Sequence, residues 1–215
     1  MRTLVIGNKN YSSWSLRPWL LMRHFGIEFD EVVLPLDTPE FFQRISAYSP
    51  TGRVPALQLD DEIVWDSLAI CETVNERWLG GRAWPQSPRA RAAARSAACE
   101  MHSGFGALRS QLPMNCRRQP REPHWDAAAD RDIARVEQLW QELRSTHGGD
   151  GGFLCGQFGI VDAMFAPVCV RFRGYGPALQ ESTLDYMQRM FALPAMMEWL
   201  SAAEVEPARV SADEA

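Results

Sequence analysis

Two stretches of this chain place chemically capable residues at the start of a helix. The first is the loop Asn10-Tyr11-Ser12-Ser13-Trp14-Ser15. It brings several hydroxyls to the unpaired amides and positive dipole end of a helix N-terminus, where an anion is stabilised. A serine-rich loop there can also simply cap the helix. The second stretch is residues 49–70, SPTGRVPALQLDDEIVWDSLAI. Val54-Pro55 opens a short strand, and proline, lacking an N–H for the ladder, marks where pairing ends. The backbone edge beside it can take up an extended peptide as an added strand. Further on, Asp66-Ser67 falls at another helix N-terminus, which again favours an anionic group. Either feature alone is common; a peptide edge followed by a carboxylate pocket implies a small acidic peptide as ligand.

The order and spacing of these residues resemble the glutathione-binding half of the cytosolic glutathione S-transferases. In that family a cis-proline in a Val-Pro pair and an acidic-Ser pair at the next helix start hold the tripeptide. The matching positions are Val54, Pro55, Asp66 and Ser67. The loop is similar to the S-S-x-S-x-R segment of the zeta and related serine classes, whose first serine holds the thiolate. The resemblance therefore assigns that role to Ser12, with Ser13 close behind and Ser15 as a helix cap. Tyr11 is the rival donor, because other classes use a tyrosine, although theirs lies earlier on the strand. Zeta members carry a cysteine directly after the two serines; Trp14 stands there instead, which argues against maleylacetoacetate isomerase activity. For the glycyl carboxylate, Arg53 has the expected place before Val-Pro, and Arg44 is a weaker candidate.

The chemistry this resemblance implies is modest. A typical thiol titrates at about 8.5 and only its thiolate attacks. Lowering that value by about two units requires roughly 2.7 kcal/mol of preferential thiolate stabilisation. One or two hydrogen bonds to the charged sulfur, at about 1.5–3 kcal/mol each, are enough. The electrophile is expected between the loop and the long helix that follows, where Met101, His102, Phe105 and Leu108 offer apolar and polar surface, with His102 as proton donor. Arg171 and Arg173 end a buried helix near that pocket, where they can also cap carbonyls or pair with acids.

The surrounding elements follow from hydrophobic spacing. Residues 2–6 form a strand, and residues 14–25 a helix starting near 13–15, since Pro18 is tolerable only in a first turn. A strand over 28–35, a short helix over 40–48, strands over 55–59 and 63–65 and a helix over 66–78 complete βαβαββα, the order of a thioredoxin-like domain. Cys71 falls on the apolar face of that helix and reads as core. Residues 80–87, rich in Gly and Pro, divide an N-terminal domain (1–79) from an all-α helical bundle (88–215). There the spacing predicts helices over 89–112, 127–145 and 160–173, two more after 177, and a frayed acidic tail over 204–215; residues 116–123 read as a polar connection. At the third of these helices Asp162 fits the family's S/T-x-x-D capping box, but Gly159 replaces the hydroxyl residue.

Composition narrows the partners. The 215 residues are 46% hydrophobic and 23% charged, as in ordinary globular proteins. A formal charge of -5 argues against a nucleic-acid-backbone binder. No apolar run is long enough to cross a bilayer and the chain opens on a strand, so a cytoplasmic protein is expected. Five widely spaced cysteines without a CxxC pair read as reduced, mostly buried thiols. No metal site is expected. The leading functional expectation is transfer of the glutathione thiolate to a small hydrophobic electrophile, with glutathione as co-substrate and, by resemblance, a homodimer. A peroxidase or isomerase using the same site, or a non-catalytic binding protein on the same fold, are the alternatives; a loop without cysteine disfavours the disulfide route.

Overall fold

The computed structural model describes residues 2–120 and 124–214. Four strands, β1 (Thr3–Ile6), β2 (Asp30–Val33), β3 (Ala56–Gln58) and β4 (Ile63–Trp65), form one sheet in the order β2-β1-β3-β4. β1 runs parallel to β2, while β3 is antiparallel to both β1 and β4. Between them lie α1 (Ser13–His24), α2 (Pro39–Arg44) with a 3-10 turn over Ile45–Ala47, and α3 (Ser67–Trp78). The expected βαβαββα order is therefore present, as thioredoxin-like folds require. After it come α4 (Pro88–Ser103), α5 (Gly106–Gln111), α6 (Ala127–His147), α7 (Ile160–Tyr175), α8 (Glu181–Phe191) and α9 (Pro194–Glu204).

Helix α7 is the axis of the helical half. It is apolar on every side and buried along most of its length, packing on α1 and α4, as a helix at the centre of a bundle must be. Trp19 of α1 meets Trp199 of α9 edge to face at 5.0 Å, so the sheet side and the bundle side share one core. Cys71 lies fully inside that core. All five cysteines are free, but only Cys71 and Cys169 are buried and Cys99 is exposed, short of the burial expected.

Three local readings need correction. The alanine-rich segment is two helices, because Gly104 and Phe105 break it, Phe105 adopting a left-handed φ of 55°. The Leu108 amide near the start of α5 donates to Asp132 of α6, a partner that local propensity cannot reveal. Pro18 lies in the second turn of α1, not the first, although the helix starts at Ser13 as expected. The tail is not frayed over its described length. Val210 is buried, Ser211–Asp213 form a 3-10 turn, and Glu206 accepts the amides of Lys9 and Asn10 at 2.9 and 3.0 Å. Residues 121–123 of the expected polar connection, and residue 215 of the tail, lie outside the described residues.

Candidate functional site

The site begins with the loop between β1 and α1, whose path is set by its own side chains. Asn8 accepts the amides of Tyr11 and Ser12 on its carbonyl and that of Leu36 on its side chain. Asn10, fully buried, donates from Nδ2 to Asn115 Oδ1 at 3.0 Å and accepts the Arg117 amide. Thus the loop is fastened both to the sheet and to the segment beyond α5.

Ser12 is the N-cap residue of α1, yet its hydroxyl caps no amide of the helix. It donates to Ser15 Oγ at 2.7 Å, and Ser15 accepts the Gly7 amide at 3.1 Å. Ser15 is therefore a tie between β1 and α1, not the cap expected. The simple capping account of the loop loses ground, since the hydroxyl in the capping position is free of that duty. Ser13 is half-buried beside it. Tyr11 turns away from the helix start: its hydroxyl donates to Glu214 of the tail and accepts from Arg117 Nη2 at 2.8 Å. Burial and the Glu214 contact raise its pKa.

Two adjoining cavities open on this loop. The smaller, of about 320 Å³, is lined by Trp14, Thr51, Arg53, Val54, Pro55, Trp65, Asp66, Ser67 and His102. The Val54-Pro55 bond is cis, and strand pairing begins just after it, at Ala56. Asp66, at φ 75°, caps α3 through Oδ1, which accepts the amides of Leu68 and Ala69 at 2.9 and 3.3 Å. A non-glycine residue held in that region of φ is a strained backbone, which is common at ligand sites. Oδ2 faces His102 Nε2 at 3.1 Å. The Ser67 hydroxyl is buried and finds no partner among the described residues, an orphan at a helix N-terminus.

The larger cavity, of about 570 Å³, is lined by the 11–14 loop, by Leu36, Asp37 and Phe41, by Arg53 and Val54, and by residues of α5, α7 and the tail. Trp14, Arg53 and Val54 border both. The structure thus brings Ser12, Ser13, Arg53, Val54, Pro55, Asp66, Ser67 and His102 into one continuous region. It does not bring Arg44, whose guanidinium pairs with Glu40 on an exposed turn. His102 stands in the smaller cavity beside Asp66, not in the larger one. Met101, Phe105 and Leu108 are buried in the core, and on that side the larger cavity is lined instead by Gly106, Arg109, Ser110, Pro113 and Met114. Arg171 reaches this wall while donating to the carbonyls of Arg109 and Leu112; Arg173 binds the Cys116 carbonyl at 3.2 Å. Arg109, Asp37 and Asp213 were not anticipated from the sequence.

At the start of α7, Asp162 Oδ2 accepts the Gly159 amide at 3.0 Å, the carboxylate half of the expected box. A Cβ on residue 159 would meet the Ala83 carbonyl oxygen at 2.5 Å, so the hydroxyl residue has no room. Asp162 also accepts from the Leu154 amide and the Tyr186 hydroxyl, and its complete burial pushes its pKa up to about 6.

Comparison with known proteins agrees with this geometry. Family models match residues 11–77, as a glutathione S-transferase N-terminal domain, and residues 124–202, as a glutathione S-transferase C-terminal domain. A glutathione transferase homologue from Burkholderia, solved with bound glutathione, superposes with a TM-score of 0.71 at 21% identity, covering 95% of this chain and 99% of its own. The transferase URE2P5 from Phanerochaete chrysosporium gives 0.70 at 22%, covering 94% of each chain. A Tau class transferase from mango, Mangifera indica, gives 0.69 at 16%, covering 94% of this chain and 96% of its own. No curated protein matches by sequence. With its two halves matched by the two domain models of one family, and the fold shared end to end, this chain belongs to the glutathione S-transferase family.

Proposed function

We propose that the chain is a glutathione transferase, with glutathione in the smaller cavity and an electrophile in the larger. Residues 1–79 form the tripeptide cradle and residues 88–215 the far wall, joined by residues 80–87. Asp66 takes the α-ammonium of the γ-glutamyl end, with His102 orienting its free oxygen. The orphan Ser67 hydroxyl and the Ser67 amide take the α-carboxylate, and the Val54 backbone takes the cysteinyl backbone. Arg53 meets the glycyl carboxylate. The sulfur then lies at the border of the two cavities, where Ser12 holds it as thiolate and Ser13 is the second donor. As in the family generally, the molecule is read as a cytoplasmic homodimer acting on reactive small molecules.

The observation that carries this reading is the meeting of the two cavities at Trp14, Arg53 and Val54, with the unpaired Ser67 hydroxyl on one side and Ser12 on the other. The physical demand on Ser12 is small. A single charge-assisted hydrogen bond of about 1.5–3 kcal/mol lowers a thiol pKa by one to two units. Titration calorimetry with glutathione tests the cradle directly, and absence of any heat of association defeats the reading.

A further inference from the structure

The larger cavity has an unusual balance of charge. Arg53, Arg109 and Arg171 line it, and among the described residues none of the three has a carboxylate within ion-pair distance. Other arginines, such as Arg77, Arg135 and Arg144, do pair with acids. Arg171 is only 5% exposed, and burial lowers its pKa to about 10, so it stays protonated at neutral pH. Behind the wall, Arg17 is buried, its Nε and Nη1 without a partner among the described residues and its Cζ 4.1 Å from the Trp14 ring centroid. Arg109 approaches the same ring at 5.5 Å. Asp37 and Asp213 face the cavity as partial counterweights, and burial raises the pKa of Asp213. Once Arg53 is assigned to the glycyl carboxylate, Arg109, which donates to the His102 carbonyl at 3.3 Å, and Arg171, which donates to the carbonyls of Arg109 and Leu112, are left lining the cavity beside apolar Trp14, Leu36, Phe41 and Met114. Guanidinium groups shielded from water bind a planar carboxylate strongly and in a fixed orientation.

We infer that the second substrate carries a carboxylate: an electrophile with an apolar or aromatic body, whose anionic end is held by Arg109 and Arg171 while its reactive carbon faces the sulfur at Ser12. This rests on the transferase reading above. For a chloroarene of this class, a C–S bond forms from the thiolate pair and the C–Cl bond breaks with its electrons leaving as chloride. The carboxylate is unchanged throughout.

The test uses two matched product conjugates, S-(4-carboxy-2,6-dinitrophenyl)glutathione and S-(2,6-dinitrophenyl)glutathione, titrated by calorimetry so that no turnover is needed. The carboxylated conjugate is expected to bind at least about tenfold tighter, a difference of ~1.4 kcal/mol. Arg109→Gln and Arg171→Met are expected to bring that ratio close to one, and Arg131→Gln, at an exposed helix position, to keep it. If Arg171→Met does not fold, Arg109→Gln decides alone. Equal binding of the two conjugates by the unaltered protein, a ratio that survives Arg109→Gln, or binding of glutathione but of neither conjugate overturns the inference. Failure of glutathione itself to bind removes the transferase reading beneath it.

Discussion

Ser12 Oγ donates to Ser15 Oγ at 2.7 Å, and Ser15 in turn accepts the amide of Gly7 at 3.1 Å. A sulfur arriving at Ser12 reverses this pair. The Ser12 proton turns to the thiolate and the Ser15 hydroxyl then donates to Ser12, so that the second bond polarises the first. Ser12→Ala is expected to lower kcat/KM for a haloarene at least about tenfold, ~1.4 kcal/mol of transition-state stabilisation. It also raises the pKa of bound glutathione, read from the thiolate's ultraviolet absorbance. Ser15→Ala gives a smaller change of the same sign. If Ser12→Ala leaves both quantities as they were, the thiolate is held by Ser13.

Asp66 has separable duties, because Oδ1 caps α3 and Oδ2 faces His102 and the cavity. Asp66→Ala forfeits the cap and is expected to cost about 0.5–2 kcal/mol in denaturant unfolding. Asp66→Asn keeps an acceptor of similar capping strength, so stability holds within about 0.5 kcal/mol. It nevertheless weakens glutathione binding in calorimetry, since the negative charge meeting the ammonium is gone. Undiminished affinity in the asparagine variant rules Asp66 out as the ammonium site.

Restoring the family's hydroxyl residue at the α7 N-terminus should harm this chain. Gly159→Ser offers a cap bond worth about 1 kcal/mol. However, its Cβ would stand 2.5 Å from the Ala83 carbonyl oxygen, which also accepts the Ile160 amide at 2.9 Å. Moving that carbonyl breaks the link between the segment after α3 and the central helix. A lower thermal midpoint than the parent is expected, and an unchanged or higher one contradicts the account.

The same helix start sets a pH dependence. Burial holds Asp162 protonated up to about 6, against 3.8 for an ordinary aspartate. Between those values the folded chain keeps a proton that the unfolded chain releases, so stability from this group is full below about 3.8 and is lost as pH rises through about 6. The displacement corresponds to about 3 kcal/mol. Urea unfolding of the parent and of Asp162→Asn from pH 4 to pH 7 should show the parent's stability falling relative to the variant's as pH rises. A constant difference excludes Asp162 as the titrating group.

What the sequence disclosed and what it hid divide along a physical line. The helix starts and the strand end that carry the proposed cradle were legible because Val54-Pro55, Asp66-Ser67 and the serine loop are local signals, each within a few residues of such an end. The wall of the larger cavity was not. Arg109 reaches the cavity only because α4 stops at Gly104, and a helix former's propensity over residues 89–112 gave no warning of that stop. Asp213 arrives by the folding back of the tail, a long-range event written in no periodicity. His102 was expected to face the electrophile, yet it stands beside Asp66, a long-range approach of the end of α4 to the start of α3 that no local pattern encodes.

The tail's carboxylates hold the loop that carries Ser12 in place from nearly two hundred residues away, through Glu206 on the Lys9 and Asn10 amides. The Ser12 loop is therefore synthesised well before the residue that ties its amides down. A fragment ending at residue 79 would keep the ties to Asn8, Leu36 and Gly7 but lose those to Asn115, Arg117 and Glu206.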